Sequence, residues 1–248
     1  MSFYQDIFDL RGESYNDAMA GFPEARHFER AILLDMLQPK ASDFIIDAPA
    51  GGGYLAEGLA ELGATPVCVE PSENFGIPLS DRFETHISHI YSLPQFDRAI
   101  NKVGSLAGLH HLNEYEIQTF FDQSYNVMCD GGVIAVADVM KGTPVAEFLN
   151  GPVDKWTETG HDGRFFEKND LADFLKKSGF KRISEEHKNF FWFFDDFDGL
   201  VDFCHNLFGL VKAQRDEVAS AVNDILGVSD FDNGVGLHWS LLYARAEK

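Results

Sequence analysis

Apolar positions set the first outline of the chain. Between Pro23 and Leu37, Phe28, Ile32 and Met36 recur every four residues, one stripe of an amphipathic helix that Pro39 closes. "DFIID" (43–47) is a short apolar strand, "GGYLAEGLAELG" (52–63) a helix ended by Gly63, and "TPVCVE" (65–70) a second strand. The stretch 71–94 is mixed, with a short strand at 83–87. "FDRAINKV" (96–103) predicts a third clear strand, and 113–128 a helix capped by Asn113. "GGVIAVADV" (131–139) is apolar almost throughout, as a strand covered on both faces must be. The spacing then predicts a helix over 168–180, an extended segment over 181–194, helices over 197–210 and 212–226, and a closing strand within 235–248.

Strands alternating with helices predict an α/β fold, doubly wound, with a mostly parallel sheet and helices on both faces. The 248 residues suit one domain with appendages. Twenty basic against forty acidic residues give a net charge of −20. The one basic cluster, Lys176 to Lys188, is interrupted by acids and reads as a solvated face. Nucleic acid and anionic membranes are therefore disfavoured as partners. No apolar run approaches the ~18 residues a membrane span needs. The first ten residues lack the pattern of a signal peptide, so a cytoplasmic protein is expected. Cys68, Cys129 and Cys204 are odd in number and far apart, which suits buried thiols. His86 and His89 lie three apart with no accompanying ligand set, so no metal is expected.

The glycine turn after the first strand narrows the chemistry. Tyr54 and Leu55 follow Gly53 where a nucleoside-triphosphate loop needs Lys and then Ser or Thr. Gly51, Gly53 and Ala56 satisfy a dinucleotide fingerprint, and Glu70 stands where a ribose would be held. Asp47, however, ends the first strand and would repel a pyrophosphate, whereas it complements an α-ammonium. No Tyr is followed by Lys four residues later, so the short-chain dehydrogenase pair is missing.

These residues resemble the class I S-adenosylmethionine-dependent methyltransferases from about Ser42 to Val139, with a further match over 163–183. The first motif, D-x-G-x-G-x-G in that family, is here Asp47-Ala48-Pro49-Ala50-Gly51-Gly52-Gly53, with Pro49 in place of the first glycine. The resemblance implies a Rossmann-like, seven-stranded sheet with its last strand antiparallel. It implies S-adenosylmethionine as cofactor, S-adenosylhomocysteine as product, and a small-molecule acceptor. Asp47, Ala48, Ala50, Gly51, Gly53 and Glu70 would bind the cofactor, with Pro71, Ser88 and His89 near its adenine. Asn101, Lys102 and Val103, in the stretch matching strand four, are included among its contacts. His110 and His111 would face the acceptor and accept its proton, or simply cap the helix at Asn113. Residues 1–40 would form a helical lid, with Tyr15, Met19 and Arg26 closing the site. Residues 41–248 would be the catalytic domain, with 141–165 and 195–234 as cap elements.

In "NFFWFF" (189–194) alternation separates Phe191 and Phe193 from Trp192. Core packing is the default, and Trp192 and Phe194 are the candidates for lining an apolar or aromatic acceptor pocket. A homodimer contact is the alternative use of this surface. A nicotinamide-dependent oxidoreductase and a binding protein built on a degenerate methyltransferase fold are the rival readings.

Overall fold

The computed structural model describes residues 4–161 and 163–248, and of Tyr4, Gln5, Asp6 and Phe8 the backbone alone. Helices α1 (Tyr4–Gly21) and α2 (His27–Leu37) precede β1 (Phe44–Asp47), α3 (Tyr54–Glu61), β2 (Thr65–Glu70), α4 (Glu73–Ser80) and β3 (Glu84–Ile87). Next come β4 (Ile100–Leu106), α5 (Glu114–Val127) and β5 (Met128–Asp138). A helical stretch follows: α6 (Pro144–Phe148), a π-helical turn (Leu149–Val153) and α7 (Asp154–Trp156). The chain ends with α8 (Asp170–Lys177), β6 (Lys181–Phe194), α9 (Phe197–Phe208), α10 (Arg215–Ala221), β7 (Val228–Phe231) and β8 (Gly234–Glu247).

The sheet runs β3-β2-β1-β4-β5-β8-β6. The first five strands of that order are parallel, and β8 is antiparallel to both β5 and β6. The doubly wound sheet with an antiparallel closing strand is therefore as the sequence led one to expect. One addition is β7, an eighth strand that folds back on β8 as a hairpin. Its four residues are too short and too polar to show a period.

Neighbouring residues of one strand feed opposite cores, which is what doubly wound means physically. Ile45 packs with Leu33, Leu37 and Leu55 on one face, whereas Ile46 packs with Val103, Phe120 and Ile134 on the other. Asn113 caps α5: its side chain accepts from the Glu116 N–H while Glu116 reaches back to the Asn113 N–H.

Helix α4 was not foreseen, whereas α1 falls within the helical segment expected over 1–40. The segment 11–26 has no apolar period, and α1 is held by its neighbours instead: Ile7, Gly12 and Tyr15 meet Phe75 of α4. Strand β4 begins at Ile100 rather than Phe96 and ends at Leu106 rather than Val103, a slip that moves its carboxyl end three residues along the chain.

Candidate functional site

The carboxyl ends of β1, β2 and β5 are all acids: Asp47, Glu70 and Asp138, each buried. In sheets of this type ligands bind beyond those ends. Between Asp47 and α3 the chain turns through Gly51 (φ +52°) and Gly53 (φ +94°), a region that L side chains rarely adopt. Nothing lies within 4 Å of where a Gly51 Cβ would stand, so the turn borders open space.

Asp47 is held at the start of α3, where the Ala56 N–H donates to its Oδ2 (3.0 Å). Burial raises its pKa well above the usual carboxylate range, and the negative charge of Glu70 adds to the effect. Glu70 binds the turn itself, since Gly51 N–H donates to Oε2 (2.7 Å) and Ser72 N–H to Oε1 (2.8 Å). Two buried acids side by side are the electrostatic complement of a cationic ligand. Pro49 packs against Gly108, where any Cβ would come within 2.2 Å of the Pro49 ring.

Asp47 opens onto a cavity of about 920 Å³, a figure that includes the solvent at its mouth. Pro49, Ala50, Gly51, Tyr54 and Phe75 line one side. The far side is apolar and aromatic, built from Leu106, Val139, Leu149, Leu207, Phe208, Trp192, Trp239 and Leu241. Trp192 and Trp239 stack with their centroids 4.0 Å apart. The Trp192 Nε1–H donates to Glu29 Oε2 (2.7 Å), and Glu29 also pairs with Arg26. Arg26 donates to Tyr15 Oη (2.9 Å) and lies over the Tyr54 and Trp192 rings. Helix α1 sits across the Glu70 side of the cavity: Ser72 Oγ–H donates to Asp9 Oδ1 (2.8 Å), and the Asn74 amide to the Asp9 carbonyl (2.8 Å).

Three imidazoles meet at the other end of the cavity. His110 and His111 occupy the 3₁₀ turn after β4, and His161 comes from the segment after α7. The His110 Nδ1 lies 2.7 Å from Asp138 Oδ1, and because a carboxylate only accepts, Nδ1 carries the proton. Asp138 is itself fixed by the N–H groups of Leu109, His110 and Val139. Burial holds His161 down to about 2 and His111 well below its ordinary value, so both are neutral at pH 7.

The structure sorts the candidates named from sequence. Asp47, Ala50, Gly51, Tyr15, Arg26, His110, His111 and Trp192 line this one cavity. Gly53 shapes the turn, and Ala48 is core, its N–H bound to the Gly104 carbonyl. Pro71 is buried next to Glu70. Ser88 bonds to the Glu70 carbonyl through its N–H, and its buried Oγ has no partner among the described residues. His89 is exposed and stacks on Tyr91. Met19 lies in an adjoining groove beside Gly52 and Tyr54.

Four candidates stand elsewhere. Asn101 accepts from the Phe44 N–H, and Lys102 pairs with Asp43, both toward the amino ends of the strands. Val103 is core against Ile46. The later start of β4 explains this: its cleft-facing residues are Leu106 and Ala107. Phe194 packs against Phe22 and Phe203, away from the cavity. Sequence reasoning missed Glu29, Phe75, His161 and Trp239, which only long-range folding brings here. Asp138 was the legible omission, an acid ending an apolar strand.

S-adenosylmethionine fits what is present. Asp47 offers a buried carboxyl group, the glycine turn allows close approach, and Tyr54 Oη and Ser88 Oγ are buried polar atoms without partners among the described residues.

No family profile matches the chain. A Geobacillus thermodenitrificans protein described as an uncharacterized methyltransferase is 24% identical over 144 residues, 54% of this chain. The match spans 66% of that relative's length, just under two thirds. Among solved structures, an S-adenosylmethionine-dependent methyltransferase of Thermotoga maritima superposes with a TM-score of 0.67 at 16% identity, covering 98% of this chain and 99% of the other. A Haemonchus contortus phosphoethanolamine N-methyltransferase, solved with S-adenosylhomocysteine and phosphomonomethylethanolamine, gives 0.62 at 13% identity, covering 100% of this chain and 60% of the other. In strand order, antiparallel closing strand and acid-ended first strands, this chain has the fold of the class I S-adenosylmethionine-dependent methyltransferases.

Proposed function

We propose that the protein transfers the methyl group of S-adenosylmethionine to a small apolar or aromatic acceptor. The observation that carries this reading is the pair of buried acids, Asp47 and Glu70, around an open glycine turn. A pyrophosphate placed there would meet two carboxylates, whereas a ligand with a cationic amino-acid end meets its complement. That contrast disfavours the nicotinamide alternative.

The cofactor supplies an electrophilic methyl group on sulfur. Asp47 would pair with its ammonium and Glu70 with its ribose hydroxyls, Ser88 lying near the adenine. The tryptophan pair and Phe208 give a planar acceptor an apolar wall. His110, oriented by Asp138, would offer Nε2 to the acceptor's heteroatom. Positioning then does most of the work, and holding two reactants in line can supply ~7–11 kcal/mol. Proteins of −20 net charge suit neutral or cationic acceptors in general, but Arg11 and Arg26 line this cavity and would also accommodate a negatively charged edge.

Calorimetry with S-adenosylhomocysteine and with NAD(P) tests the cofactor, and a panel of small aromatic acceptors with labelled methyl donor tests the reaction. Saturable binding of the thioether and none of the dinucleotide is expected. Binding of NAD(P) alone would overturn the reading.

A further inference from the structure

We infer that His110, His111 and His161 form a binding site for one first-row divalent transition-metal ion, of the zinc type, at the acceptor end of the cavity. One ring nitrogen of each lies within 4.8 Å of those of the other two. A tetrahedral ion holds imidazole nitrogens at ~2.0–2.1 Å, hence roughly 3.3–3.4 Å from each other. Binding an ion would draw the three nitrogens closer than they stand, by turning the rings toward one another.

The surroundings of the rings are those of metal ligands. A metal-bound imidazole almost always donates its other N–H to a carboxylate or carbonyl, which fixes its tautomer and orientation. His110 has Asp138 at 2.7 Å in that role, and the His161 Nδ1 faces the Asn150 side-chain oxygen at 3.2 Å. Both rings thus keep Nε2 as their second nitrogen. The backbone is shaped to let the rings converge. Gly163 has no side chain where a Cβ would stand 2.6 Å from His161 Cε1 and 3.3 Å from His110 Cδ2. The Arg164 N–H donates to the His110 carbonyl (2.7 Å), and the His161 N–H to Asp154 (2.7 Å), tying the third histidine's segment to the first two.

Packing alone does not account for this cluster. The three rings, those of His110 and His161 buried and that of His111 half-buried, each bring one ring nitrogen to the same end of one cavity. The buried Asp138 carboxylate lies against His110 and supplies negative charge beside the site. Three nitrogen ligands leave a fourth position, and it faces the aromatic cavity. The class of acceptor this favours carries an oxygen, nitrogen or sulfur donor on an apolar body.

This last step rests on the methyl-transfer reading; the ion site itself does not. With the ion bound, the lone pair of His110 Nε2 is committed to it. The acceptor's proton then leaves to solvent, its lone pair forms the bond to the methyl carbon, and the S–CH3 bonding pair returns to sulfur. No oxidant or reductant is needed.

The test is a Co²⁺ titration of the full chain after EDTA treatment and dialysis, read by visible absorption, with Zn²⁺ as competitor. One equivalent should bind with the spectrum of a four- or five-coordinate site, and Zn²⁺ should displace it. His161→Ala and His161→Gln should each weaken uptake at least tenfold, as should His111→Ala. His86→Ala, a change to the His86–Glu84 pair on the strand β3, should leave it unchanged. Far-UV circular dichroism and S-adenosylhomocysteine binding confirm that each variant is folded. Absence of stoichiometric uptake, or uptake that survives in folded His161 and His111 variants, overturns the inference. Triad-dependent uptake in a protein that ignores S-adenosylhomocysteine would keep the metal site and remove the methyl-transfer reading instead.

Discussion

The two halves of the cavity are built in different ways. The nucleotide side comes from one stretch of about two dozen residues, Asp47 to Ser72, folded as strand, turn, helix and strand. The acceptor side draws on α2, the turn after β4, the segment around Leu149 and His161, β6, α9 and β8. The first half is local and polar, its buried acids held by backbone N–H groups. The second is long-range and aromatic, its polar groups held by other side chains such as the Trp192–Glu29–Arg26 chain. Binding and stability should therefore separate along this divide, and four measurements probe it.

The largest effect is expected on the aromatic side. Trp192→Ala removes a fully buried ring and leaves Glu29 short of a donor, so urea unfolding should show a loss of about 3–5 kcal/mol. Affinity for S-adenosylhomocysteine should change far less. A comparable loss of both would erase the division.

Asp47→Asn should do the reverse. It keeps an acceptor for the Ala56 N–H and removes the charge, weakening S-adenosylhomocysteine binding by about 2–5 kcal/mol by calorimetry. Stability at pH 7 should be kept or increased, because a buried acid with a raised pKa costs stability once pH exceeds its unfolded value. Unchanged affinity would remove Asp47 from the cofactor site.

The acceptor side should be the acid-sensitive one. His161 titrates at about 2 in the folded chain against 6.5 when unfolded, so below pH 6.5 the unfolded chain takes up protons that the folded one does not. Metal-free protein should lose stability as pH falls from 6.5, by up to about 1.4 kcal/mol per pH unit for this group. His161→Gln should flatten that slope in urea titrations between pH 7 and 5.

The smallest effect concerns protons on the nucleotide side. An ammonium arriving beside Asp47 favours its ionised form, so binding should release a fraction of a proton. Calorimetry in buffers of different ionisation enthalpy would detect it, and Asp47→Asn should abolish it.

The same division decides what could be read from sequence. Asp47, Gly51, Gly53 and Glu70 announced themselves because strand, turn and helix follow one another, and short-range spacing fixes their places. Asn113 was legible as a cap for the same reason. His161 was not, because fifty residues separate it from His111 and no period links them. Helix α1 was legible only as part of a helical segment over 1–40, without its bounds, because Phe75, which Ile7 and Tyr15 meet, lies in a stretch that pattern alone left undefined. The error over Asn101, Lys102 and Val103 was one of phase. "FDRAINKV" looks uniformly strand-like, but pairing starts only at Ile100.

Helix α1 lies over the ribose side, fastened by Asp9 to Ser72 and Asn74 and by Ile7 and Tyr15 to Phe75. On the proposed reading, a nucleoside seated against Glu70 would be roofed by this helix, and its route in and out would cross it. Release of the product nucleoside would, on that reading, run at the pace of the first helix.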